Sequence, residues 1–126
     1  MFELFYHPIY TAGIDKRSRF PRDRYRLIKR TLDELELDIQ FVEPEMINVE
    51  DIYLAHQREY VNLFINGMLC DKKKKKIGLQ PWNNKIVERT RYIIGGSLGA
   101  LESAIKSNGI AGNMAGGTHH AYYSEG

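Results

Sequence analysis

The sequence predicts an α/β fold in layers around a mainly parallel sheet, and two observations support this class. Short stretches that predict strands, at 2–6, 39–42 and 110–115, alternate with longer stretches of helical periodicity. Strands separated by helices in this way are typical of parallel α/β sheets. The predicted order is β-α-β-α-α-α-β. With 126 residues, no internal repeat and no sign of a second domain, the chain fits one domain.

The first two predicted strands enclose one helix. Residues 2–6 predict a short strand that ends at His7-Pro8, and residues 9–19 predict a loop. Pro21 suits the first turn of a helix that runs to about Leu37. Its apolar stripe has spacings of three and four, at Tyr25, Ile28, Leu32 and Leu35. Residues 39–42 predict the second strand, which Pro44 ends.

Two helices and a charged loop are predicted in the middle of the chain. Asn48 is a suitable N-cap for a short helix through Ala55. A second helix runs from about Arg58 to Asn66, and Gly67 follows as its stop. Residues 71–76, one aspartate and five lysines, are predicted to be a loop.

The longest predicted helix starts at Asn83 or Asn84 and ends at Asn108-Gly109. Its apolar stripe comprises Val87, Ile94, Leu98, Leu101 and Ile105. Gly95-Gly96 lies inside it, and each interior glycine costs about 1 kcal/mol relative to alanine. We therefore expect another backbone to pack closely there. Residues 110–115 predict a buried strand that leads directly into a glycine-rich loop with two histidines.

Composition excludes several classes of protein. Hydrophobic residues make up 43% and charged residues 27%, which is a globular composition. A net charge of +2 does not by itself indicate a polyanionic partner. The single cysteine, Cys70, rules out a disulfide framework or a cysteine zinc cluster within the chain. No secretory signal and no apolar run near the roughly 20 residues of a membrane span is present, so we expect no membrane partner and a cytoplasmic location.

His119 and His120 are the leading candidates for chemistry. They follow a predicted strand, and ligands bind outside the carboxyl ends of strands in parallel sheets. After Gly116 and Gly117, both imidazoles can face one cavity, and histidine both accepts and donates protons near neutral pH. The alternative is two polar loop residues. Zinc binding by this pair alone is disfavoured, because a catalytic zinc usually needs three protein ligands and neither His7 nor His56 shows ligand spacing with it.

The remaining polar candidates have simpler interpretations. Lys72–Lys76 could bind a nucleic acid or an anionic membrane, but no aromatic interleaving or RNA-binding motif accompanies the run. A solvated loop is the preferred interpretation, so nucleic acid is not expected as a partner. His7 and His56 are predicted to be structural. Arg19 precedes a helix in a loop, where its simple role is surface charge and a buried role would need a carbonyl or anion.

The residues from Ala115 to Ala121, Ala-Gly-Gly-Thr-His-His-Ala, resemble the Gly-Gly-x-His-His-Ala motif of the histone deacetylase family, which includes bacterial members and acetylpolyamine amidohydrolases. Other stretches resemble the family's N-terminal landmarks in the same order, closest to the class IV-like branch. They are Tyr6-His7-Pro8, Arg19-Phe20-Pro21 with Tyr25-Arg26-Leu27, His56 with Tyr60-Val61, Ile77-Gly78-Leu79 with Pro81-Trp82, Val87-Glu88-Arg89, and Gly95-Gly96-Ser97.

The resemblance implies a three-layer arginase/deacetylase-type fold and zinc-dependent hydrolysis of an acetyl-lysine protein or an acylated polyamine. It implies that His120 is the general base and later the acid, with His119 as its electrostatic and proton-relay neighbour. It also implies that Arg19 lines an inner cavity beneath the acyl group. The family's zinc ligands, an Asp-x-His pair and a later aspartate, come after the histidine pair and do not occur in this sequence.

We therefore expect residues 1–126 to be the N-terminal part of a deacetylase-like catalytic domain, truncated after the histidine pair. Such a fragment would hold no Zn²⁺ by itself and would be inactive alone. An alternative is a non-catalytic module that binds a partner, including a separately encoded remainder of the enzyme. In either case the missing strands would leave a sheet edge and apolar helix faces exposed.

Overall fold

The computed structural model describes residues 1–126 and confirms the α/β class. The strands are β1 (Phe2–Phe5), β2 (Ile39–Val42) and β3 (Ala111–Asn113). The helices, in chain order, are α1 (Ile9–Ala12), α2 (Arg24–Glu34), α3 (Val49–Ile52), α4 (Arg58–Ile65), α5 (Asp71–Ile77) and α6 (Lys85–Ser107).

All three strands are parallel, and their order in the sheet is β2-β1-β3. Phe5 pairs with Val42 on one side and with Asn113 on the other, so the carboxyl ends of the strands lie at one edge. The chain leaves β1 toward β2 and later crosses to β3 on the opposite side. In open parallel sheets, ligands bind at the carboxyl edge where the strand order changes direction in this way.

The core lies where α1, α2 and α6 meet the end of β3. Its buried cluster comprises Ile9, Tyr10, Tyr25, Ile93 and Ala115. The predicted close approach at Gly95 is confirmed, since a Cβ there would overlap the backbone carbonyl of Glu45. The segment after β2 therefore runs directly against α6.

The prediction of a loop at residues 71–76 is wrong, because Asp71–Ile77 forms α5. Lysine is a good helix former. Asp71 in the first turn and the lysines of the last turn complement the helix dipole. Residues 9–19 also differ from the prediction, since they include the short helix α1.

The apolar stripes are less buried than the sequence predicts. In α6 the buried residues include Ile86, Arg89 and Ile93, whereas the predicted Leu101 is 56% exposed and Ile105 is 71% exposed. In α2 only Tyr25 is buried, and the helix ends at Glu34 rather than near Leu37. The strand predicted at 110–115 is limited to Ala111–Asn113. Three strands provide too little sheet to cover both helices.

No helix combines the length and the apolar character that crossing a membrane requires.

Candidate active site

The histidine pair lies in the loop that follows β3, at the carboxyl edge of the sheet. The backbone N–H of Met114 donates to the carbonyl of Phe5 at 2.9 Å, which continues the pairing of β3 with β1 by one residue. Ala115 is buried in the core, and the chain is exposed from Gly116 to Tyr123. The loop therefore starts from a fixed point beside the end of β1.

A polar network holds that fixed point. The hydroxyl of Tyr10 donates to Asn113 Oδ1 at 2.8 Å. Asn113 Nδ2 in turn donates to the carbonyl of Ile93 at 2.8 Å and to Ser97 Oγ at 3.2 Å. Burial raises the pKa of Tyr10 far above its ordinary value, so its hydroxyl stays protonated and remains a donor. The network ties the last residue of β3 to α1 and α6.

His119 and His120 lie side by side, with ring centroids 4.0 Å apart and ring planes at 44°. Both side chains are exposed, and neither ring makes a hydrogen bond. A Cβ added at Gly116 or Gly117 would meet nothing within 4 Å, so the loop before the pair is open. The structure thus brings the two predicted catalytic residues together, without a carboxylate or carbonyl to orient either ring.

The segment after the pair, residues 122–125, folds back onto the start of α4 and the exposed side of α5. The backbone N–H of Gln57 donates to the carbonyl of Tyr123 at 2.9 Å. His56 Nδ1 lies 2.8 Å from the carbonyl of Tyr122, a contact that requires the proton on Nδ1. We call the groups that hold this segment the docking strip: His56, Gln57, Lys73 and Lys76.

The lysines of α5 complete the docking strip. Lys73 Nζ donates to the carbonyl of Ser124 at 2.9 Å, and Lys76 Nζ lies 2.6 Å from Glu125 Oε2. The Lys76 ammonium, with Lys73 and Lys72 behind it, lowers the pKa of the Glu125 carboxyl. Nothing in the sequence pattern indicated this long-range contact.

A cavity of about 260 Å³ lies between α4, α6 and the folded-back segment. Its lining is mainly apolar and includes Tyr60, Phe64, Ile93, Gly117 and Thr118. Neither His119 nor His120 contributes to it. The loop of the pair therefore forms part of the wall, while the imidazoles point elsewhere.

Arg89 is a buried charged residue that the sequence pattern did not single out as a site residue. It is 5% exposed and lines the cavity. Its Nε donates to the carbonyl of Tyr10 at 2.8 Å, and a terminal nitrogen donates to the hydroxyl of Tyr25 at 3.3 Å. Burial lowers the pKa of its guanidinium, and no carboxylate pairs with it. Its spacing from Ile86 and Ile93, three and four residues, was the available signal.

Arg19 lies in the loop before α2, and its side chain is exposed. It makes no hydrogen bond or ion pair, and it does not line the cavity. In this structure Arg19 is therefore not joined to the histidine pair. Its implied role in an inner cavity stays a prediction.

The residues present do not fit a zinc site. No group of three or more histidine, cysteine, aspartate or glutamate side chains is placed to hold a metal ion. His7 is instead engaged by the backbone N–H of Ile9 and by Glu43, and His56 by the docked segment. Cys70 is exposed. A catalytic zinc usually takes three protein ligands, so any such site would need residues outside this chain.

The sequence matches the histone deacetylase domain over residues 18–126. The chain belongs to the histone deacetylase family. The match covers α2 through the histidine pair, so it includes the histidine loop and Asn113, whereas Tyr10 of the polar network lies before it. The chain is also similar to an uncharacterized protein of Picosynechococcus sp., with 35% identity over 123 residues. The aligned part covers 96% of the present chain but only 40% of the length of that relative.

Proposed function

We propose that residues 1–126 are the N-terminal part of a zinc-dependent, deacetylase-like amidohydrolase. Its substrates would be acetyl-lysine in a protein or a related acylated amine such as an acylated polyamine. The observation that carries the proposal is the adjacent pair His119–His120 at the carboxyl edge of the sheet, within a region that matches the family domain. Arg19 keeps the role that the resemblance implies, beneath the acyl group.

The chemistry assigned to the pair is proton transfer. Amide hydrolysis requires a base to take a proton from the attacking water and an acid to protonate the departing amine. His120 would perform both steps, and the products would be a free amine and a carboxylate. His119, at 4.0 Å between ring centroids, would stabilise the charge that His120 gains. Zinc would supply carbonyl polarisation and water activation, from ligands beyond these residues.

Because the histidine pair lies within residues 1–126 and the zinc ligands would lie beyond them, residues 1–126 are inactive alone. The relative's greater length leaves room for the missing ligands and for carboxylates that orient the imidazoles. In metal sites such orienting partners change affinity or activity by about 10–100-fold. The unpartnered rings of His119 and His120 support this part of the proposal.

The test compares two purified proteins supplied with zinc: residues 1–126, and the same chain extended by the sequence encoded directly after codon 126. Acetate release from an acetyl-lysine peptide and from an acetylated polyamine is measured for each. We expect release only from the extended protein, with a decrease of roughly 10²–10⁴-fold in His120→Ala. Zinc-dependent turnover by residues 1–126, or an extended zinc-bound protein without turnover, would contradict the proposal.

A second candidate function is a non-catalytic module that binds a partner, including a separately encoded remainder of the enzyme. The specific observation is an exposed apolar surface along α6 and the start of β3, with Leu98, Leu101, Ile105 and Ile110 between 41% and 78% exposed. β3 is also an edge strand, and its side away from β1 has no partner strand. Size-exclusion chromatography and pull-down with the downstream-encoded segment would test it. A monomer that captures no such segment would count against this function.

A further inference from the structure

We propose that the docking strip is a positioning device for His119 and His120. It holds residues 122–125 and so fixes the histidine loop from its C-terminal side. The docking contacts do not depend on any catalytic role, whereas the consequence for catalysis rests on the proposed function of the pair.

The loop of the pair is anchored on each side, and within it Thr118 Oγ1 donates to the carbonyl of Gly126 at 3.3 Å. On its N-terminal side, Asn113 and Met114 are bonded to the core and to β1. Between the anchors, Gly116 and Gly117 have open space around them, and the imidazoles make no hydrogen bond. The position of both rings therefore depends on where the chain is held next, at residues 122–125.

The second anchor combines contacts of different kinds on consecutive residues. Gln57 precedes the first turn of α4, where backbone N–H groups lack partners within the helix, and its N–H is satisfied by the carbonyl of Tyr123. His56 and Lys73 hold the carbonyls on either side. An exposed ion pair such as Lys76–Glu125 contributes little stability by itself. Here it is one of four contacts that hold consecutive residues of the segment.

The partners of the lysines distinguish this role from polyanion binding. Lys73 and Lys76 contact the docked segment, and Lys74 lies over the ring of Trp82 at 5.6 Å. Lys75 is exposed and has no such partner. Three of the five lysines are thus engaged within the chain, and Lys75 provides a matched control on the same helix.

The experiment measures amide hydrogen exchange by NMR on the purified 126-residue chain. The amide of Gln57 reports docking, because it donates to Tyr123. The amide of Val61, which donates to the carbonyl of Gln57 inside α4, reports the integrity of the helix. In Lys76→Gln we expect Gln57 to exchange roughly two- to fivefold faster, with Val61 unchanged. The ring signals of His119 and His120 should shift.

Four further variants test the proposal. Lys76→Arg should restore slow exchange and the original histidine signals, and Lys75→Gln should leave both unchanged. Glu125→Gln should show the same Gln57 exchange as Lys76→Gln. The double variant that combines them should also show it, since all three remove the same ion pair. Unchanged Gln57 exchange in Lys76→Gln would overturn docking. Faster exchange without a shift of the histidine signals would overturn positioning. Neither readout uses activity, so the proposed function can fail separately.

Discussion

Gly95 sets how closely α6 can approach the segment that follows β2. An added Cβ would overlap the carbonyl of Glu45, and that carbonyl belongs to a backbone held to α6 by the bond from Ile47 N–H to the carbonyl of Arg91. A rigid backbone cannot yield as the end of a flexible side chain can. Gly95 is therefore a packing requirement of the fold.

Gly95→Ala should destabilise the chain by roughly 1–3 kcal/mol, because overpacking outweighs the gain in helix propensity. The free energy of unfolding is measured by urea denaturation, with the slope checked for two-state behaviour. Gly116→Ala is the control, since its Cβ would meet nothing within 4 Å. Equal stability of the two variants would show that the segment after β2 moves away easily.

Arg89 is a buried charge stabilised without a carboxylate. Its guanidinium donates to Tyr10 and Tyr25, and it lies 5.6 Å from the Tyr25 ring centroid and 5.9 Å from that of Phe20. These groups belong to α1, to α2 and to the loop between them. The Arg89 side chain thus connects α6 to both α1 and α2.

Arg89→Met should cost roughly 1.5–3 kcal/mol, the range for hydrogen bonds to charged groups, because the carbonyl of Tyr10 loses its donor and the hydroxyl of Tyr25 keeps only Arg24. Arg30→Met, at an exposed position of α2, should change the free energy of unfolding by less than about 0.5 kcal/mol. Both are compared by thermal and urea unfolding. A neutral Arg89→Met would mean that water replaces the guanidinium through the cavity.

At the scale of elements, α5 holds residues 124 and 125 through its charged side chains. Its five lysines repel one another, and Glu125 lies against one end of the run. The groups that face this carboxylate are Lys76, Lys73 and Lys72 from α5 and Tyr60 from α4. Burial raises the pKa of Tyr60, and the nearby carboxylate raises it further. Docking of residues 122–125 is therefore coupled to the ionisation of Glu125.

Docking should weaken on acidification. The pKa of the Glu125 carboxyl is lower in the folded chain than in the unfolded chain. Its contribution to docking is therefore complete above its unfolded pKa and is lost as the pH falls through its folded pKa. The amide NMR signal of Gln57 should follow this titration. Glu125→Gln should remove the pH dependence in that window. An identical titration in the variant would assign the change to another group.

At the scale of the whole molecule, large apolar side chains are exposed along α6 and at the start of β3. Large contiguous apolar patches mark interaction surfaces or aggregation hazards. The open edge of β3 adds unpaired backbone groups beside that surface. The chain should accordingly associate in proportion to its concentration.

Leu101→Gln with Ile105→Gln should reduce this association and change the free energy of unfolding by no more than about 0.5 kcal/mol per site. Ile93→Ala, at a position 3% exposed, should cost roughly 2–5 kcal/mol. Sedimentation velocity over a concentration series measures the first effect, and urea denaturation the second. Association that persists in the double variant would place the contact at the edge of β3.

The amino-acid sequence by itself determined the elements whose pattern is local. The alternation at 39–42, the cap at Asn108 and the glycine pair at Gly95-Gly96 each predicted what the structure has. The histidine loop after a strand was predicted for the same reason, and the resemblance to the histone deacetylase family is confirmed over residues 18–126. Such signals depend on neighbours a few residues apart, which a sequence displays directly.

Only the tertiary structure decided which apolar face is buried and which polar groups meet. Arg89 and Tyr10 are 79 residues apart, and Lys76 and Glu125 are 49 apart. No periodicity records contacts of that range, because they depend on how the elements pack. The same packing leaves Leu101 and Ile105 exposed despite their helical spacing. It also places the lysines of α5 against the segment that follows the histidine pair.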